Sequence, residues 1–207
     1  MSIHCTGCSG DTQNAATDRQ YRRILWFALL TNFGMFITEI VAGAVGQSLS
    51  LTADAMDFFS DSVNYAITLA VLGLSLNSRA SAALFKGICM GLVGLYVLYT
   101  SISHIINGIL PQAHIMGIVG FLALLTNVVV ALLLFRHRAG DANRQSIWIC
   151  SRNDAIANIA VIAAGGGVWF SQSGWPDVCV GLGIAALGLW GANTIIRKSL
   201  AELRAQA

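Results

Sequence analysis

The chain has 207 residues, of which 56% are hydrophobic and only 11% charged, with a formal net charge of +2. Its mean hydropathy is +0.68, whereas a soluble domain carries about 25% charged residues. Composition therefore excludes an ordinary soluble globule and leaves a bundle of membrane-spanning helices, each needing about 20 apolar residues.

Residues 1–20 are polar and lack an apolar core, so no cleavable signal peptide is expected and the segment is read as a cytoplasmic tail. It carries His4-Cys5-Thr6-Gly7-Cys8. In a reducing cytosol C-x-x-C more often binds metal or does redox work than closes a disulfide. His4, Cys5 and Cys8 are three soft ligands, one short of a closed tetrahedral zinc site. Two readings stay open: transient metal capture, or a tail with no metal role.

Apolar runs predict six transmembrane helices, over 24–46, 50–76, 80–103, 115–135, 146–170 and 177–196. The fold class is all-α, a polytopic membrane protein. Arg19, Arg22 and Arg23 precede span 1, Arg79 and Lys86 flank the 2–3 turn, and Arg136, Arg138 and Arg144 mark the 4–5 loop. Arg197, Lys198 and Arg204 follow span 6, while the 1–2, 3–4 and 5–6 connections carry no Lys or Arg. By the positive-inside bias both termini are cytoplasmic. Only Arg152, inside span 5, breaks the pattern. Topology accounts for the basic residues, so no nucleic-acid partner is expected; the partner is the lipid bilayer. Residues 21–200 form the transmembrane domain and 201–207 a short cytoplasmic tail, with no soluble domain expected beyond it.

Ionisable groups inside spans are costly and usually mark a pathway. In span 2, Asp54, Asp57, Asp61 and Asn64 follow i, i+3, i+7, i+10, one face of a helix. In span 5, Cys150, Asp154 and Asn158 follow i, i+4, i+8, again one face, and Asn32 and Glu39 mark a polar side of span 1. Spans 2 and 5 run antiparallel. At about 1.5 Å per residue, Asp61 lies roughly 16 Å below the outer edge and Asp154 roughly 12 Å above the inner one. Both depths fall near the middle of a layer about 30 Å thick.

Four monodentate ligands from two i, i+4 pairs suit a tetrahedral divalent ion, which points to Asp57, Asp61, Cys150 and Asp154. A thiolate among them favours zinc or cadmium over magnesium or calcium, with cobalt, nickel and ferrous iron left open. Asn32, Glu39, Asp54, Asn64 and Asn158 are read as cavity lining or as interhelical hydrogen-bonding groups. Asp54 shares the stripe but is read as a cavity or packing residue near the span 2 mouth. Arg152 is two residues from both Cys150 and Asp154 and so points off their face. Cys89 and Cys179 read as apolar filler. Glycines at 87, 91 and 94 and at 181, 183, 188 and 191 predict that spans 3 and 6 pack closely together. Spans 1, 2, 4 and 5 are then left around the site.

The stretch NFGMFITEIVAGAVGQSLSLTADAMDFFSD resembles the span 1 to span 2 region of the cation diffusion facilitator family, with Asn32, Glu39, Gly43, Ser48-Leu49 and Ala53-Asp54-Ala55 in the usual order. The resemblance covers about residues 20–200. It implies six spans and a metal site of two residues on span 2 and two on span 5, four apart in each pair. Here these fall on Asp57 and Asp61 and on Cys150 and Asp154, where Cys150 stands in place of the histidine usual in zinc-type members. The C-terminal cytoplasmic domain of many members has no counterpart here, and the His-rich loop between spans 4 and 5 is reduced to His137.

The resemblance implies export of divalent transition-metal cations, zinc or cadmium above all, from the cytoplasm in exchange for protons. The metal binds transiently as cargo and no resident cofactor is expected. A homodimer in the bacterial cytoplasmic membrane is expected. The alternative is a non-transporting metal sensor, or an assembly partner of a full-length relative. A membrane-embedded enzyme finds no support. No HExxH or Ser/His/Asp set is present, and the histidines at 4, 104, 114 and 137 are scattered.

Overall fold

The computed structural model describes residues 8–70, 76–136 and 142–205, with side chains described at 19–70, 80–81, 83–136 and 154–204. Among the described residues six helices follow in chain order: α1 (Cys8–Gly46), α2 (Leu49–Ala70), α3 (Leu76–Asn107), α4 (Ala113–Phe135), α5 (Ala142–Ser171) and α6 (Trp175–Ala205). Helices α1, α3, α4, α5 and α6 are each long and apolar enough to cross a membrane. In α2, Asp54, Asp57 and Asp61 dilute the hydropathy, yet this helix packs against α1, α3, α5 and α6. A helix covered by protein on several sides tolerates carboxylates that lipid would exclude. The chain is an all-α polytopic membrane protein.

Helices α1, α3, α5 and α6 overrun the expected spans, and residue 76, the expected end of span 2, instead begins α3; α1 and α6 overrun furthest. α1 starts at Cys8 rather than near residue 24, and α6 continues to Ala205 rather than 196. Both flanks lack proline and are rich in Ala, Gln and Arg. Extending a formed helix fixes one residue per hydrogen bond gained, so good helix formers continue it past the membrane edge.

At the end opposite the termini the connections are tight, and three helices close through a left-handed residue. Gln47 after α1 has φ 52°, Gly108 after α3 has φ 60° and Gln172 after α5 has φ 50°. The Ser48 amide then reaches back to the Gly43 carbonyl at 2.9 Å, and the Ile109 amide to the His104 carbonyl at 3.1 Å. These bonds satisfy carbonyls that a helix end leaves open. Gln112 joins α4 to the end of α1, donating from its amide to the Gly46 carbonyl at 2.9 Å and from Nε2 to the Val45 carbonyl at 3.1 Å.

Helices α3 and α6 pack against each other, as the glycine pattern predicts. Gly87 faces Ile195 and Ile196, and Gly94 faces Leu189, at separations that leave no room for a side chain. Gly181 instead backs onto the Leu49–Ser50 backbone, bringing the start of α6 against the start of α2. The bundle's flanks are apolar, and polar groups are gathered inside it beside apolar core clusters. Leu30, Leu92, Leu132, Leu187 and Trp190 are exposed on its flanks, whereas Asn32, Glu39, Asp54, Asp61, Lys86, Asn127, Asn158 and Asp177 are buried. That inversion suits a lipid solvent.

Candidate metal centre

Helix α2 builds the centre because its polar residues fall on one stripe. Asp54 and Asp61 are buried, while Asp57 and Asn64 are half-buried. The Tyr65 hydroxyl, one turn beyond Asp61, donates to Asp61 Oδ2 at 3.0 Å and fixes that carboxylate's orientation.

Helix α5 faces this stripe with Asp154, half-buried, and Asn158, fully buried. Asp154 lies within the electrostatic field of Asp61, Asp57 and Asp54. Asn158 donates from Nδ2 to Asp54 Oδ2. Asn158 Oδ1 in turn accepts a 3.0 Å hydrogen bond from Asn127 Nδ2 on α4. From α1, the fully buried Glu39 carboxylate interacts electrostatically with Asp54 and Asp57.

In this layer Asn32 Oδ1 and Asn127 Oδ1 find no hydrogen-bond partner, and the Glu39 and Asp54 carboxylates face each other within hydrogen-bond reach with no donor group between them. Asn32 turns its Nδ2 back onto the Ala28 carbonyl at 2.8 Å, within its own helix. Buried acceptors are almost always satisfied. A cluster of open oxygens in a protein interior is matched by protons or by a cation.

Asp57, Asp61 and Asp154 are thus drawn to one region from two antiparallel helices. Among the described residues, no three His, Cys, Asp or Glu side chains already close into a ligand set for one ion. Cys150 belongs to α5, one turn before Asp154, and its side chain lies outside the described residues, as does that of Arg152. His4 and Cys5 lie outside the described residues. Cys8 is the first residue of α1, with its side chain likewise outside.

Four residues that sequence reasoning missed shape the centre. Asn127 was visible only as the lone amide in the apolar run of α4, a position where interhelical hydrogen bonds are common. Tyr65 follows Asp61 at i+4, the spacing that brings its hydroxyl to that carboxylate. Asp177, buried at the start of α6, accepts hydrogen bonds from the first turn of α2. Lys86 reads as a flanking positive charge but is buried within α3, where its Nζ donates to Asn64 Oδ1 at 2.9 Å. That contact corrects the expected division of labour: α3 reaches the centre rather than only bracing α6. Asp57 also borders a small cavity between α2, α3 and α6, together with Met90, Val93 and Ile184.

Known proteins resemble this chain along most of its length. Residues 25–204 match the cation efflux transmembrane domain. The metal cation efflux system protein CzcD of Cupriavidus metallidurans is 24% identical over 180 residues, 81% of this chain and 56% of the relative. The cadmium, cobalt and zinc/H(+)-K(+) antiporter of Bacillus subtilis is 22% identical over 196 residues, 86% of this chain and 62% of the relative. The chain therefore spans little more than half the length of these relatives. With its apolar six-helix bundle, its buried acidic layer and a match over residues 25–204, the chain belongs to the cation efflux transmembrane domain family, whose members are transporters rather than enzymes.

Proposed function

We propose that the protein exports divalent transition-metal cations of the zinc and cadmium type from the cytoplasm, in exchange for protons. One observation carries the reading. The α2 stripe of Asp54, Asp57 and Asp61 meets the α5 face of Asp154 and Asn158, with Asn158 hydrogen-bonded to Asp54 across the two helices. Cys150, one turn before Asp154, is proposed as the fourth ligand and as the soft donor that favours zinc or cadmium over harder ions. The family supports transport of metal cations. The Bacillus subtilis relative, named for cadmium, cobalt, zinc and H(+), supports both the metal class and the exchange.

The chemistry follows from charge. Without cargo, these acidic groups face one another as like charges, which protons neutralise. Metal binds only deprotonated ligands and so displaces the protons. A site that holds either metal or protons, and opens to each side in turn, lets an inward proton gradient drive metal outward.

Asn158 and Asn127 hold Asp54 in place beside the ligands, so Asp54 acts as a wall of the cavity. The tail residues His4, Cys5 and Cys8 are proposed to capture metal transiently at the cytoplasmic entrance. A homodimer is part of the same reading, and light scattering of the purified chain tests it.

The direct test is the purified full chain in liposomes, offered a panel of divalent ions with and without a pH gradient. Zinc or cadmium flux that grows with an opposing proton gradient supports exchange. Metal binding with no flux would identify a sensor or an assembly partner instead. Flux indifferent to the gradient would remove the proton half of the reading.

A further inference from the structure

Lys86 is the one buried lysine or arginine among the residues whose side chains are described. It is 6% exposed, and its ammonium is tethered to Asn64 Oδ1 at 2.9 Å. Asn64 lies three residues past Asp61 on the stripe that carries Asp57. The Lys86 charge acts on both Asp57 and Asp61.

A lysine near a membrane boundary normally extends its head to the interface. This one turns inward, to the side of α2 that carries the proposed ligands. An ammonium in that place attracts the empty carboxylates and repels an arriving divalent ion. The Asn64 amide holds it beside that stripe.

We propose that Lys86 is a positioning residue, a tethered internal cation that keeps the α2 carboxylates apart from full metal affinity and so speeds release of the cargo. The inference rests on the metal-site reading above. It assigns Lys86 a role opposite in sign to a scaffold. Loss of a scaffold weakens metal binding, whereas loss of a repelling charge tightens it. Like charges in a medium of low effective dielectric interact strongly enough for the effect to be measurable.

The experiment uses the full chain in nanodiscs for cadmium titration calorimetry, and in liposomes for cadmium flux. Lys86→Met and Lys86→Gln are each expected to lower Kd and KM at least tenfold, about 1.4 kcal/mol, while kcat falls because release slows. Gln keeps a hydrogen bond to Asn64 without the charge, so it serves where Met disturbs insertion. Lys86→Arg restores the charge and is expected to restore both constants to within about threefold, about 0.6 kcal/mol. Unchanged or weaker cadmium binding in an inserted neutral variant would overturn the proposal. So would an arginine variant that matches the neutral ones. The site reading is separately checked in the same assay by Asp61→Ala. If that variant binds cadmium as the parent does, the ligand assignment fails. If it loses binding while Lys86→Gln leaves Kd unchanged, only the role of Lys86 fails.

Discussion

Asp177 Oδ1 accepts two hydrogen bonds from Ser50, one from its amide at 3.0 Å and one from its hydroxyl at 2.6 Å. The same carboxylate takes the Leu49 amide at 2.7 Å on Oδ2 and the Ser48 hydroxyl at 2.8 Å on Oδ1. A residue of α6 thereby caps α2, satisfying first-turn amides and setting a negative charge at the positive end of the helix. Gly181, against the Leu49–Ser50 backbone, allows the approach. The cap fixes where α2 begins, and so how its carboxylates are placed along the bundle.

Asp177→Ala strips these partners from a buried helix start. A loss on the order of 3 kcal/mol is expected, since buried donors to a charged group are left open. Thermal unfolding of the detergent-solubilised protein checks this. The fraction that still folds is expected to bind cadmium more weakly than the parent, because the α2 carboxylates lose the anchor that sets their placement.

Tyr65 holds Asp61 through its hydroxyl. Tyr65→Phe keeps the ring in the apolar cluster that includes Leu25 and Val130 and removes the hydroxyl that donates to Asp61. Loss of such an orienting bond typically weakens metal binding about 10- to 100-fold. Cadmium calorimetry is expected to give a change at the lower end of that range, with little change in unfolding temperature. An unchanged Kd would show that Asp61 is oriented by other contacts.

Cys150→His replaces the proposed soft donor with a borderline imidazole ligand. The ratio of cadmium to zinc flux in liposomes is expected to fall, because imidazole is less selective for the softer ion than thiolate. A ratio that does not move would remove Cys150 from the ligand set.

Much of the centre was legible because helices impose a period. Asp54, Asp57, Asp61 and Asn64 had to share a face, and so did Asp154 and Asn158. Antiparallel spans then brought the two stripes to one depth, and the structure pairs Asn158 with Asp54 as that geometry requires. The α3–α6 pairing was legible in glycine spacing for the same reason.

Rotation of a helix about its own axis was harder to read. Lys86 satisfies the charge bias of a membrane boundary whether its ammonium faces water or Asn64, and only packing decides between them. Asn127 stands alone in α4, so no second polar residue marks its face. Asp177 sits at a span edge, where carboxylates are commonly solvated. Its role depends on α2, whose start lies 128 residues earlier in the chain.

The central claim is that Asp61 and Asp154, from two helices, hold the transported ion together. Zinc or cadmium exchange by metal-loaded liposomes containing Asp61→Ala or Asp154→Ala measures it most directly. The account predicts background flux for both variants at normal levels of inserted protein. Full exchange by either one would contradict it.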